Sequence, residues 1–308
     1  MSLPPDQRPN YYAALPLDRR AQQRGDPAWI DRLLRDGATR ILPVWRAQNL
    51  VAGIGEAPRA AWLSMTQVES WIGAGEAIFL GVAGEIAHFA LELSHLEDPA
   101  PAAAIAAAGF TDLRNVGAVI PRDDGALLAY ARGLIHWHSR HRFCGVCGHG
   151  TVSEQAGHQR RCGNPDCGAV HFPRTDPAVI MLIHDGDRII LGRQSQWPPG
   201  MNSVLAGFVE PGESLEEAVA REVMEEVGIA VADVRYQSSQ PWPFPSSIML
   251  GFTARALNRD IRLSPDEIES ARWYGREELR RSPENETFRL PRRDSIARRL
   301  VDDWLAAG

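Results

Sequence analysis

Residues 207–229 read GFVEPGESLEEAVAREVMEEVGI, and this stretch decides the fold of the C-terminal half. Gly207 and Pro211-Gly212 break regular structure ahead of Ser214. Ser214 and Glu217 have the spacing of a capping box, so a helix is predicted to start near Leu215. Gly228 supplies its C-terminal stop. Leu215, Val219, Val223 and Val227 recur at helical spacing and give one apolar stripe for docking. At ~100° per residue, Glu222, Glu225 and Glu226 share an arc of about 100°. Like charges so close repel one another unless something positive lies among them. One reading is a solvated acidic face. The other is a set of hard oxygen ligands for Mg²⁺ or Mn²⁺, and Mg²⁺ binds through one or two carboxylates plus substrate phosphates. Arg221 projects elsewhere on the helix and is expected to pair with Glu213, fixing the preceding loop.

Around this segment, 308 residues suffice for about two domains with cores of their own. A hydrophobic content of 44% and a charged content of 23% are those of an ordinary globular protein. The net charge of −6 excludes a global attraction to nucleic acid or an anionic membrane, so any RNA contact has to be local. The opening MSLPPDQRPN lacks a basic-then-apolar signal pattern, and no apolar run is long enough to span a bilayer. A cytoplasmic location is expected. No internal repeat is visible, and the alanine-rich residues 99–109 read as a short helix or a connector.

The four cysteines, Cys144, Cys147, Cys162 and Cys167, are confined to one short stretch. Without a secretion signal this favours metal binding over disulfides. CGVCG and CGNPDCG are knuckle-like turns whose thiolates can complete one closed, tetrahedral, structural Zn²⁺ site. The second pair has four residues between its cysteines instead of the usual two, and His149, His158 and His171 lie near enough in sequence to substitute.

Strands are predicted over residues 40–45, 77–82 and 86–91, the last two joined by Ala83-Gly84-Glu85. Trp29, Trp45, Trp62 and Trp71 are expected mostly in the core. A helix over residues 126–141 leads into the cysteines. Further strands are predicted over 179–184 and 188–193, flanking Asp185-Gly186-Asp187, and over 203–205, 235–239, 248–257 and 271–274. A final helix over 293–305 should bury Ile296, Leu300 and Trp304.

Residues 239–247, SQPWPFPSS, alternate prolines with Trp242 and Phe244. Proline fixes φ and removes backbone donors, so the segment is predicted to be neither helix nor central strand. It either presents two rigid aromatics to a flat heterocycle or caps the core as a proline-rich loop, or serves a partner as a polyproline-type ligand.

The pattern G-x5-E-x7-R-E-apolar-x-E-E-x-G-apolar, filled at every position of 207–229, closely resembles the signature of the Nudix hydrolase superfamily. The SQPWPFPxS form downstream, together with the order N-terminal domain, four-cysteine ribbon, Nudix domain, resembles the NADH pyrophosphatase family. The likeness is tightest from residue 143 to 273 and weakest over 1–110. It implies an α/β class: a Nudix α/β/α sandwich with a mixed sheet over 173–308, a zinc ribbon over 141–172 and an N-terminal α+β domain over 1–140. It also implies hydrolysis of the diphosphate of NAD(H) to NMN(H) and AMP, removal of NAD caps from RNA 5′ ends as in bacterial members, and a homodimer.

Carried over position by position, Glu222, Glu225 and Glu226 match the catalytic glutamates that hold two to three Mg²⁺ or Mn²⁺ ions, and Ala206 matches a backbone carbonyl ligand. Glu267 matches a downstream metal-binding glutamate, with Asp266 and Glu269 as rivals if the alignment slips. Gln240, Pro241, Trp242, Pro243, Phe244, Pro245, Ser246 and Ser247 match the dinucleotide-contacting loop. Phe208 would wall the nicotinamide pocket. Phe172 stands where relatives can carry Tyr, so stacking would survive there but a hydroxyl contact would not. Arg114 and Ala297 are further transfers to substrate contacts, Arg114 competing with the reading of a plain surface arginine. Gly157 falls where some members carry a substrate-binding acid, and that role does not transfer. The competing functions are a Nudix hydrolase of another nucleoside diphosphate derivative, such as ADP-ribose or a dinucleoside polyphosphate, and a zinc-ribbon nucleic-acid-binding regulator with an inactive Nudix domain.

Overall fold

The computed structural model describes residues 8–72, 76–99, 108–264 and 267–307. Most of the alanine-rich stretch, and Asp266, lie outside the described residues. The chain divides into two units: Met1–Thr175 with Trp242–Ser246, and Asp176–Pro241 with Ser247–Gly308.

The first unit contains α1 (Pro27–Leu34), β1 (Arg40–Trp45), β2 (Gln48–Ala52), β3 (Arg59–Ala60), α2 (Met65–Ile72), β4 (Ala77–Ala83), β5 (Ile86–Glu92), β6 (Ala108–Thr111), α3 (Leu113–Val116) and α4 (Arg122–Arg140). The sheet runs β3-β2-β1-β5-β4, with β6 also paired to β2. β1 and β5 are parallel and apolar on both faces, as parallel strands covered on two sides must be. Successive side chains alternate between two cores: Leu42, Val44 and Leu80 meet Leu128 and Ile135 of α4, whereas Ile41, Phe79 and Phe89 meet the α1 side. All four tryptophans pack against these cores while staying partly exposed. α4 starts earlier than the apolar period indicates, because Pro121 precedes it and Asp123 and Asp124 suit its first turn.

The cysteine segment follows as a three-stranded antiparallel ribbon: β7 (Thr151–Glu154), β8 (Gln159–Cys162) and β9 (Val170–His171). Gly157, in the β7–β8 turn, has φ +93°, and a Cβ there would stand 2.6 Å from Ile78. An acidic side chain has no room at this position. Beside it, Glu76 Oε2 lies 3.0 Å from both His138 Nδ1 and Arg160 Nη1, and His138 Nε2–H donates to the Gly157 carbonyl at 2.7 Å.

The second unit contains β10 (Asp176–His184), β11 (Arg188–Arg193), β12 (Leu205–Phe208), α5 (Leu215–Val227), β13 (Val231–Trp242), β14 (Ser247–Ala256), β15 (Ser270–Gly275), α6 (Arg276–Arg280) and α7 (Ile296–Ala306). Its mixed sheet runs β13-β14-β10-β11-β15, with β12 antiparallel to β10. Val179, Met181 and Ile183 face Val219 and Val223 of α5, whereas Ile180 and Leu182 face Ile296 and Leu300 of α7. The result is a helix–sheet–helix sandwich. The prolines of the 239–247 segment are tolerated because β13 is an edge strand.

Tertiary structure reveals a repeat that the sequence hides. In the second unit β10 is parallel to β14 and antiparallel to β11 and β12, and β15 closes on β11. In the first, β1 is parallel to β5 and antiparallel to β2, Leu63 bridges to Ile41 in the antiparallel sense, and β6 closes on β2. The order β4-β5-β1-β2-β6 thus repeats β13-β14-β10-β11-β15, and α2 occupies in the chain the place of α5.

Candidate active site

The acidic segment folds as its sequence dictates. The Ser214 hydroxyl accepts from Glu217 N while the Glu217 carboxylate accepts from Ser214 N, and Gly228 ends α5 in the left-handed conformation at φ 68°. β12 runs so close to α5 that a Cβ on Gly207 would fall 1.8 Å from the Glu222 carboxyl carbon. Only glycine lets the strand approach the glutamate.

Arg221 is the hub. It donates to Glu213 at 2.5 and 2.9 Å and to the Phe208 carbonyl at 2.9 Å, as expected of a loop clamp. It also donates to Glu222 at 2.9 Å and to Glu225 at 2.8 Å. The expectation that it points away from the acidic cluster is corrected here, because its long side chain reaches back to its i+1 and i+4 neighbours. The Arg221 hydrogen bonds, aided by the Glu210 backbone, hold Glu213 down to about 2.

Glu226 differs from its neighbours. It is buried at 4% exposure, and its Oε2 has no hydrogen-bond partner. Burial, reinforced by Glu222, Glu267 and Glu225, pushes its carboxyl up to about 8. Burial likewise raises Glu222, with Glu225 and Glu267 adding to the rise. A buried carboxylate oxygen that lacks a partner, surrounded by further carboxylates, is a donor set that suits a hard divalent cation. Glu267 is exposed on the turn before β15, where its N–H donates to the Ser264 carbonyl. Ala206 pairs with Ile180 in the sheet, one residue before Gly207.

The remaining sequence-derived positions divide by accessibility. Phe208 and Phe172 are 59% and 65% exposed, which leaves both rings free to stack. Ser247 opens β14 and is partly exposed. Gln240 is fully buried; its amide donates to the Asp294 carbonyl and accepts from Ile296 N, so it anchors the start of α7. Ala297 lies in the α7 core at 4% exposure. Neither side chain is exposed, and both pack in the interior of the second unit.

Trp242 and Phe244 pack edge to face with each other at 5.0 Å and with Tyr12 at 6.0 and 5.9 Å, while Pro243 is buried. Of the readings offered for this loop, capping a core describes its packing. Pro241 and Pro245 are exposed and Ser246 is partly so. Arg114 stacks over Phe244 at 4.6 Å and pairs with Asp112 at 3.3 Å. Arg132 donates to the Pro243 carbonyl at 2.9 Å and to the Ala47 carbonyl. Sequence gave no sign of that anchor, since Arg132 sits unmarked within a long helix.

The four thiol sulfurs lie within 4.8 Å of one another, with Cys147–Cys162 at 3.4 Å and Cys144–Cys167 at 3.9 Å. Sulfurs tetrahedral about zinc at ~2.3 Å stand about 3.8 Å apart, so the donors fit the ion. The backbone N–H groups of Val146 and Cys147 hold Cys144 down to about 6, which favours its thiolate. His171 and His149 approach Cys144 and Cys147 at 3.4 and 3.6 Å, as neighbours of the sulfurs, whereas His158 bonds to the Phe79 carbonyl at 2.7 Å.

A mixed sheet between helices, with a glycine-bearing strand closed against a helix of glutamates, defines a Nudix-type protein. The NUDIX domain model matches residues 174–298, the NADH pyrophosphatase zinc ribbon model 139–172, and the NADH pyrophosphatase-like rudimentary NUDIX model 38–137. The chain is 34% identical to the NAD-capped RNA hydrolase NUDT12 of Pongo abelii, over 96% of this chain and 73% of that protein. It is 43% identical to the NAD-capped RNA hydrolase NudC of Mycobacterium bovis, over 75% and 76%. Against NUDT12 of Macaca fascicularis it is 46% identical over 59% of this chain, spanning only 42% of that relative's length. The chain belongs to the Nudix family, in its NADH pyrophosphatase-like branch. Among the described residues, no helix is long and apolar enough to cross a membrane.

Proposed function

We propose that this protein is a metal-dependent diphosphatase that hydrolyses NAD(H) to NMN(H) and AMP and removes NAD caps from RNA, leaving NMN and 5′-monophosphate RNA. The observation that carries the reading is the buried, partnerless Glu226 oxygen among Glu222, Glu225 and Glu267. The intact glutamates speak against an inactive domain, and the names of the relatives favour NAD-capped substrates over other nucleoside diphosphates.

Glu222, Glu225, Glu226, Glu267 and the Ala206 carbonyl would hold two to three Mg²⁺ or Mn²⁺ ions. Such ions supply charge neutralisation at the diphosphate and acidify a bound water. Arg221 holds Glu222 and Glu225 in position and ties them to the Glu213 loop, so the carboxylates do not have to be ordered at the moment of reaction. A glutamate of this set orients the attacking water and takes its proton, one bridging P–O bond breaks, and the water's oxygen ends on one of the two monophosphates. Phe208, and Phe172 through stacking alone, serve the flat bases. Arg114, Pro241, Pro245, Ser246 and Ser247 offer accessible groups for the dinucleotide, whereas Trp242, Pro243 and Phe244 in the first unit, and Gln240 and Ala297 in the second, pack within their own units. One structural zinc per chain on the four cysteines, the division 1–140, 141–172 and 173–308, a cytoplasmic location and a homodimer complete the proposal.

The test is turnover of NADH, NAD⁺, ADP-ribose and NAD-capped RNA side by side with Mg²⁺ or Mn²⁺, products identified by mass. NMN(H) with AMP or 5′-monophosphate RNA supports it. Preference for ADP-ribose, or RNA binding without hydrolysis, refutes it.

A further inference from the structure

The second unit contains a cavity of ≈ 830 Å³ that the proposed chemistry does not use. Its volume lies in the range of small-molecule sites. One wall is a stack. Phe288 lies against Tyr274 with ring centroids 5.1 Å apart and planes tilted by 33°, and the Arg272 guanidinium lies 3.7 Å over the Tyr274 ring. Glu278 receives both terminal nitrogens of Arg272, at 2.5 and 3.2 Å, and so fixes the plane of the guanidinium. The lining also includes Arg281, whose side chain is 81% exposed and whose carboxylate partner Glu277 stands off at 3.6 Å.

The cavity opens beside the glutamates in sequence. Ser270 lines it and follows Glu267 by three residues, at most ~10 Å of extended chain. Arg193, paired across the strands with Ser270, lines the same end and binds Glu269 at 3.0 Å. Tyr274 belongs to the core on the α7 side of the sheet, whereas α5 and its glutamates lie on the other side. A ligand joining the two places would therefore pass around the edge strand β15, and a flexible polymer suits that path better than a compact molecule.

We propose that this cavity receives a nucleotide of the RNA chain that follows the capped adenosine, its base stacked on the outer face of the Arg272 guanidinium and its phosphate on Arg281. Guanidinium planes stack bases without regard to sequence, and exposed arginines bind phosphate. The site thus distinguishes capped RNA from free dinucleotide, which the carboxylate cluster cannot do, because both present it with the same diphosphate. This inference rests on the decapping activity proposed above.

The experiment measures kcat/KM for NADH and for an NAD-capped oligoribonucleotide with the full chain and three variants. Arg272→Lys keeps the charge and removes the planar stack, Arg281→Ala removes the phosphate contact, and Arg35→Ala removes an exposed arginine of the first unit as a control. Arg272→Lys and Arg281→Ala should each lower kcat/KM on capped RNA about tenfold, through KM, with NADH turnover and melting temperature unchanged. Arg35→Ala should leave both substrates unaffected. The proposal fails if the two cavity variants cleave capped RNA like the wild type, if they lose NADH turnover equally, or if Arg35→Ala mimics them. It also fails if AMP inhibits NADH hydrolysis by the wild type but not by Arg272→Lys, which would give the cavity to a free mononucleotide. A wild type that cleaves capped RNA while the cavity variants cleave it equally well removes this inference alone; one that cleaves NADH but not capped RNA removes the decapping half of the proposed function with it, and one that cleaves neither removes the proposed function whole.

Discussion

The two six-stranded sheets share strand order, yet only the second carries the candidate carboxylate cluster. The difference lies in one connection. Where the second unit has Gly207, a glycine-proline loop and α5 with its glutamates, the first has Leu63 and the short α2, whose sequence MTQVESWI contains one acidic residue. The sheet supplies a rigid edge in both cases. Chemistry appears only where a strand without a Cβ lets carboxylates close on its backbone. The first unit instead spends several buried polar groups on structure, in the Glu76–His138–Arg160 cluster and in the Arg132 bonds to the Pro243 and Ala47 carbonyls.

That contrast can be broken most severely at the ribbon. Cys162→Ser should take zinc from about one per chain to near none and destabilise the first unit by several kcal/mol, since metal binding and folding are coupled. Metal analysis with thermal unfolding reads both, and zinc retained at full occupancy would contradict the four-cysteine site. Next is Glu226→Gln, which should cut turnover roughly 10²-fold or more at unchanged melting temperature; near wild-type rates in the folded variant would remove Glu226 from the site.

The pH dependence of stability separates the units further. Burial, opposed by the bond to the Phe79 carbonyl, lowers His158 to about 4. The folded state therefore favours neutral His158, so this contribution is fully present above an unfolded value of about 6.5 and is lost as pH falls toward 4, amounting to about 3 kcal/mol. Glu76 follows in a lower window. Burial raises it, but the hydrogen bond and charge of His138, with help from Ser153 and Arg160, lower it to about 2. Its contribution is present above about 4.3 and fades toward 2. Denaturation at stepped pH should show the first loss in the wild type and a flatter profile in His158→Gln.

Two glycine substitutions sharpen the comparison with smaller effects of opposite kind. Gly157→Ala forces a Cβ against Ile78 at positive φ and should cost about 1–3 kcal/mol of stability with kcat retained. Gly207→Ala should do the reverse, displacing Glu222 and lowering turnover by about tenfold or more with little loss of stability. Equal effects of the two on turnover would erase the distinction between the units.

Much of the fold was legible because local signals agreed. The capping box, the four-residue stripe and Gly228 all specify the same α5, and the cysteine spacing identified a cluster whose sulfurs converge. β1 and β11 occupy their expected residues, whereas β13 extends beyond both expected ends because an edge strand accommodates Pro241. The elements that went unread include α1, β2, β3, α2, β6, α3 and α6; all are short, and β6 is held by pairing with β2, far away in sequence.

By itself the sequence determined the helix of glutamates, the metal-binding cysteines and the family, since these depend on residue type at fixed short spacing. Tertiary structure alone decided that Arg221 gathers the carboxylates, that Gln240 and Ala297 face the core, and that the aromatic loop packs on Tyr12. Arg221 acts on carboxylate partners within eight residues of it, chosen by the direction its side chain takes; the others depend on groups meeting across long sequence separations, where burial and backbone geometry determine which groups touch and local pattern carries no information.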